Sequence, residues 1–153
     1  MKWKIDDIND FKQIIEIVVE KSIEIAKADK SAVVIALHGN LGAGKTTFTK
    51  ELARFLGIKE NVTSPTYIIQ KNFDISEEKQ ENFAPFKKLI HIDTYRIDLQ
   101  DELVKLGWSD ILLNTKNLIA LEWPENIPDL LPENRINIHF RFIDEITREV
   151  EIR

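Results

Sequence analysis

Val33-Val34-Ile35-Ala36-Leu37, then Gly39-Asn40-Leu41-Gly42-Ala43-Gly44-Lys45-Thr46, then Thr47-Phe48-Thr49-Lys50-Glu51-Leu52-Ala53-Arg54-Phe55-Leu56 follow one another, with only His38 between the first two. The first run is apolar and of strand length, and the third is spaced as a helix. Between them stands the phosphate-loop pattern G-x-x-x-x-G-K-[ST], in the strand–loop–helix setting that this motif needs. Three of the chain's five glycines fall in this loop. The fold expected from it is α/β, with a nucleoside triphosphate site at the end of the strand.

A triphosphate concentrates negative charge and must be approached by backbone N–H groups, which side chains would obstruct. Gly42 and Gly44 remove the obstruction and open backbone angles closed to other residues. The amides then form an anion-binding nest, and the helix starting near Lys45 adds the positive end of its dipole. Lys45 is predicted to reach the β- and γ-phosphates, and the Thr46 hydroxyl to ligate Mg²⁺. ATP and Mg²⁺ are the expected ligands. The guanine-reading pattern Asn-Lys-x-Asp is absent, and Asn114-Thr115-Lys116-Asn117 only approximates it.

Working outward, Met1–Asp7 is expected to form a short edge strand, and Asp10 to cap a helix running to about Asp29. Phe11, Ile14, Ile15, Val18, Ser22, Ile25 and Ala26 give that helix its apolar stripe. Gly57 ends the helix after the loop. Val62–Gln70 reads as a turn entering a strand through Tyr67-Ile68-Ile69. Residues 72–88, with Glu77 to Glu81 charged or polar throughout, read as a solvated loop or hairpin tip. Lys88–Asp93 and Leu118–Glu122 read as buried strands, each ending in an acid. Asp101–Asn114 is helical with a break at Gly107 and Ser109 as a new N-cap. Pro124, Pro128 and Pro132 prevent a long helix. Ile136, Ile138, Phe140 and Phe142 alternate with polar residues as in a half-buried strand, and Asp144-Glu145 turns the chain into a last strand, Ile146–Arg153. The predicted architecture is a single phosphate-loop domain over residues 1–153: three layers, a mixed β-sheet and a C-terminal antiparallel hairpin.

At 153 residues one domain has room for a real core. The chain has no cysteine, so disulfides and thiolate metal sites are excluded. Charged residues interrupt every apolar run, so neither a signal peptide nor a membrane span is expected, and the predicted location is cytoplasmic. A net charge of −5 with scattered Lys and Arg makes the chain a poor autonomous nucleic-acid binder.

A phosphate-loop enzyme needs a further acid near its metal, usually at the end of a strand beside the loop strand. Asp93 and Glu122 are the two candidates, because open α/β sheets bind ligands at the carboxyl ends of their strands. One could hold Mg²⁺ and the other orient or deprotonate the attacking water.

Four segments together resemble one family: Gly39 to Thr47, Ser64-Pro65-Thr66-Tyr67, His91-Ile92-Asp93-Thr94-Tyr95-Arg96 and Glu122-Trp123-Pro124-Glu125. In this order, over almost the whole chain, they are similar to the bacterial tRNA threonylcarbamoyladenosine biosynthesis ATPases, TsaE (formerly YjeE). The resemblance implies a small ATPase that joins the threonylcarbamoyl transferase TsaD and its non-catalytic paralogue TsaB. It would meet tRNA only through them, and would reset the transferase rather than carry out the transfer. By the same resemblance Lys45 binds phosphate, Thr46 and Glu122 hold Mg²⁺, Asp93 is the Walker-B-type acid, Thr66 lies in the segment sensing the γ-phosphate, and Trp123 lies close to the nucleotide. Asn40 stands where the family often has Asp, and residues 72–88 are longer than its usual connector. Two other functions fit the same loop: a small-molecule kinase, although no Arg-rich lid segment is evident, and a nucleotide-gated assembly module with little hydrolysis.

Overall fold

In a computed structural model the described residues are 1–65, 68–98 and 100–153. They form a seven-stranded sheet in which β1 is Lys2–Ile5, β2 Val33–His38, β3 Gln70–Asp74, β4 Lys88–Asp93, β5 Asn117–Glu122, β6 Ile136–Phe142 and β7 Arg148–Ile152, ordered β1-β7-β6-β2-β5-β4-β3. The central β6, β2, β5 and β4 run parallel. β3 at one edge, and β7 and β1 at the other, are antiparallel to their neighbours. The C-terminal hairpin is the β6–β7 pair.

The helices are α1 (Phe11–Ala28), α2 (Lys45–Phe55), the single turn α3 (Glu77–Gln80), α4 (Gln100–Lys105) and α5 (Trp108–Leu113). Strand residues alternate between the sheet's two faces. Val33, Ile35 and Leu37 of β2 enter the core shared with α1 and α2, beside Ile14, Val18, Phe48 and Leu52. Val34 enters the second core, with Ile90, Ile92, Leu103 and Trp108. Two apolar cores on opposite faces make the molecule three-layered, as the uninterrupted apolar run of β2 predicts.

Four local expectations need correction. Asp10 does not cap α1. A 3-10 turn, Ile8–Asp10, precedes the helix and is capped by Asp7, whose Oδ1 accepts the Asn9 N–H at 2.8 Å, while Asp10 Oδ2 accepts the Asp7 N–H at 2.9 Å. This is a reciprocal capping box, in which Asp10 supplies the return bond. Residues 72–88 join the antiparallel strands β3 and β4, as a hairpin connection does, but they are not a solvated loop. Phe73 lies on β3, and Ile75, Phe83 and Phe86 are buried with it in the first core. Phe73 and Ile75 are two apart and Phe83 and Phe86 three apart, each a single pair too short to show a period among the polar majority. Of the strand expected over Tyr67-Ile68-Ile69, Tyr67 lies outside the described residues, Ile68 is exposed, and β3 begins at Gln70. Ser109 lies inside α5, whose N-cap is Gly107 in the left-handed region.

Candidate functional site

The register of the parallel strands builds the site. Leu37 pairs with Glu122, and Glu122 with Asp93, so the loop and both acids stand side by side at the strands' carboxyl ends. Beyond them lies a cleft of about 440 Å³. Its walls are the loop from Leu41 to Thr47 together with Ser64, Asp93, Tyr95, Arg96, Glu122 and Trp123.

Gly39 and Asn40 do not line the cleft; their carbonyls point to Lys45. The Lys45 Nζ donates to Gly39 O at 2.5 Å and to Asn40 O at 3.0 Å, and lies 4.2 Å from the centre of the Trp123 ring. Lys45 is buried, and that burial pushes its pKa down, against the upward pull of Glu122, Glu125 and Asp93. The two carbonyls and the indole face therefore hold a cation that is short of solvent. Gly39 is needed for a different reason. Its φ is +141°, and a Cβ there would meet Phe140 O at 2.5 Å, so the turn out of β2 passes directly against β6. Gly44, at φ +108°, opens α2 and frees the first amides of that helix.

Thr46 Oγ1 donates to Glu122 Oε1 at 2.8 Å. The same carboxylate oxygen is 2.9 Å from His91 Nε2. A carboxylate only accepts, so Nε2 carries the proton of that bond. His91 is fully buried on β4, and its Nδ1 has no hydrogen-bond partner among the described residues. Asp93 Oδ1 accepts the Tyr95 N–H at 2.9 Å, and Ser64 Oγ lies 3.4 Å from Oδ2.

Trp123 has φ 59° and ψ 49°, a left-handed conformation rare for a large residue. The kink turns the chain after Glu122 and lays the indole over Lys45. Thr94 secures it: its Oγ1 is 2.9 Å from Glu122 O and 2.6 Å from Trp123 O, and Asn126 Nδ2 donates to Thr94 O at 2.8 Å. Tyr95 packs on the other side, with ring centroids 4.9 Å apart. Strain of about 1–3 kcal/mol of the kind stored at functional sites persists because these bonds over-determine it.

Lys45, Thr46, Asp93, Glu122 and Trp123 thus converge on one cleft, along with Leu41 to Gly44 and Thr47. Thr66 lies outside the described residues. Reasoning from sequence gave no role to His91, Thr94 or Ser64. Arg96 lines the cleft as well. For His91 the signal was its place two residues before Asp93, which puts both on the same face of one strand.

No helix among the described residues is long and apolar enough to cross a membrane. Residues 11–150 match the family model for "Threonylcarbamoyl adenosine biosynthesis protein TsaE". The tRNA threonylcarbamoyladenosine biosynthesis protein TsaE of Bacillus subtilis is 33% identical over 150 residues, covering 98% of this chain and 83% of the relative. The protein of the same name from Haemophilus influenzae is 32% identical over 123 residues, covering 80% of this chain and 71% of the relative. The crystal structure of B. subtilis YdiB superposes with a TM-score of 0.67 at 28% identity, over 98% of this chain and 82% of that one. The loop, the paired strand-end acids and these similarities agree: the chain belongs to the TsaE family of tRNA threonylcarbamoyladenosine biosynthesis proteins.

Proposed function

We propose that this chain is an ATPase that serves the threonylcarbamoyladenosine modification of tRNA by binding and resetting a transferase assembly, TsaD with TsaB. One observation carries the nucleotide part of this reading: Lys45, Thr46, Glu122 and Asp93 face a single cleft roofed by loop amides. The donor set fits Mg²⁺. Thr46 and Glu122 offer hard oxygens within 2.8 Å of each other, and Asp93 lies in the same cleft. Mg²⁺ takes one or two carboxylates and completes its shell with phosphate and water, so no full protein cage is needed. When bound, the ion would neutralise charge on the β- and γ-phosphates.

The chain's own residues supply the rest. The loop amides grip phosphate oxygens. Lys45 exchanges its two carbonyl partners for phosphate, at small cost because its ammonium is already desolvated. His91 and Thr46 fix Glu122 at the strand end. Asp93, held by the Tyr95 N–H, is placed to orient or accept a proton from water. The chain's net negative charge leaves contact with tRNA to its partners.

Turnover of ATP should be slow for the isolated chain and rise when TsaD and TsaB are added. Equal turnover with and without them would overturn the partner reading. Lys45→Ala and Glu122→Ala should fold yet lose Mg-ATP hydrolysis, and normal turnover in either variant would remove that residue's role.

A further inference from the structure

Glu125 ends the segment Glu122-Trp123-Pro124-Glu125 and has no part in the chemistry above, and His38 stands directly before the loop. We propose that these two are positioning residues for Lys45: a proton taken up by His38 pairs it with Glu125, neutralises that carboxylate beside Lys45 and tightens the grip of the loop on polyphosphate. This rests on the nucleotide reading above and adds a charge control to it.

The hydrogen bonds fix where the protons lie. Arg135 Nε donates to Asn137 Oδ1 at 3.0 Å, and a guanidinium only donates, so the Asn137 atom in this corner is its carbonyl oxygen. His38 Nε2 lies 3.1 Å from the same oxygen and is therefore a donor to it. The other ring nitrogen, Nδ1, is 3.6 Å from Glu125 Oε1. In the neutral ring Nδ1 then presents a lone pair to a carboxylate. A second proton turns that contact into an ion pair. At 3.6 Å the contact is too long for a hydrogen bond, and the second proton is what would draw it in.

The surrounding charges favour one proton, on His38. His139 stacks on it from β6, with ring centroids 4.4 Å apart and planes 8° from parallel. Two imidazolium rings so stacked repel, and the carboxylate within ion-pair distance belongs to His38. Burial first, then His38 and Arg153, hold His139 below its ordinary value against Glu151 and Glu125, so His139 is the neutral member. Burial alone would raise the Glu125 carboxyl. His38, the residue's own backbone N–H and Lys45 outweigh it and hold Glu125 below its ordinary value, so it stays charged.

Both residues bear on Lys45. His38 precedes Gly39, whose carbonyl accepts from Lys45 Nζ. Glu125 stands on the 3-10 turn Pro124–Asn126, just after the Trp123 indole that covers Lys45. It is one of three acids, with Glu122 and Asp93, whose charge acts on Lys45. Glu122 and Asp93 stand in the cleft, where Mg²⁺ would offset them, whereas the group placed to offset Glu125 is His38. Asn126 ties the same turn to Thr94 on the β4 side, and His38 meets it on the β2 side.

Proton and nucleotide must help each other by the same factor. Calorimetry with Mg-ATP on the full chain, between about pH 8 and about pH 6, reads both effects. The affinity ratio of wild type to His38→Asn should rise by about fivefold or more as pH falls through this range. The nucleotide's own protonation is common to both proteins and cancels in the ratio. Binding by wild type near neutral pH should take up protons, seen as an enthalpy that changes with the ionisation heat of the buffer. His38→Asn and Glu125→Gln should both lose the uptake. Glu125 is 48% exposed, so its variant leaves the core undisturbed and serves even if His38→Asn folds poorly. At the alkaline end Glu125→Gln should bind Mg-ATP more tightly than wild type, because a charge opposing phosphate is gone. A wild-type to His38→Asn ratio that stays constant with pH would overturn the proposal, since a merely structural His38 lowers affinity at every pH alike. Equal proton uptake by wild type and Glu125→Gln would overturn it too, while the phosphate site stood. Failure of wild type to bind Mg-ATP at any pH would remove the nucleotide reading itself, and this proposal with it.

Discussion

Single residues carry the site through bonds that can each be cut. His91 touches the cleft only through Glu122, so it is a positioning residue. His91→Ala should weaken Mg²⁺ affinity by about tenfold or more, the usual effect of losing a partner that orients a metal ligand. Binding of ATP in chelator should be unchanged, and His91→Asn should recover part of the loss. Mg²⁺ titrations of ATP binding, followed by the fluorescence of Trp123 over Lys45, would measure both, and an unchanged Mg²⁺ dependence in His91→Ala would disprove the role. Gly39 is constrained by shape. Its substitution by Ala sets a Cβ 2.5 Å from Phe140 O at a φ of +141°, and should cost about 2 kcal/mol or more in denaturant unfolding. Lys45, Thr46 and the loop glycines were readable because the motif names residues whose chemistry is local. His91 was not, because its meaning comes from Glu122, thirty-one positions away.

At the scale of elements, the strand–loop–helix unit and the two strands ending in acids were visible because burial on both faces leaves continuous apolar runs. The segment from 72 to 88 was not. Its apolar minority is buried by contact with β4 and α2, a tertiary event that no local period announces. Phe86, fully buried, is the measure of this: Phe86→Ala should destabilise the fold by about 3–5 kcal/mol, whereas Glu78→Ala on the exposed turn should change stability by less than about 0.5 kcal/mol. Chemical denaturation of the two variants separates a core segment from a solvated one. Similarly, Asp10 looked like a cap because it precedes the helix, but Asp7 is placed to close the box with it.

For the whole molecule, pH acts through groups that the sheet brings together. His38 and His139 are register partners on β2 and β6, and their rings stack with centroids 4.4 Å apart. Burial first, then His38 and Arg153, holds His139 below its ordinary value of 6.5, with Glu151 and Glu125 opposing. The unfolded chain therefore takes up this proton at higher pH than the folded chain. Through that interval the unfolded state binds more protons, so stability falls as pH drops. Thermal unfolding should show a lower Tm at about pH 5.5 than at about pH 7.5, and His139→Asn should lessen the difference. An identical pH dependence in wild type and His139→Asn would rule out this contribution. By itself the sequence determined the α/β class, the phosphate loop and the pair of strand-end acids, because glycine geometry, ammonium chemistry and apolar period act over a few neighbouring residues. Only the tertiary structure decided that β2 lies between β5 and β6, that Glu122 shares one oxygen between Thr46 and His91, and that the chain's first turn meets its last hairpin beside the loop. Those outcomes depend on pairing between distant segments, where strand register and the filling of two cores choose among arrangements that local patterns leave equally open.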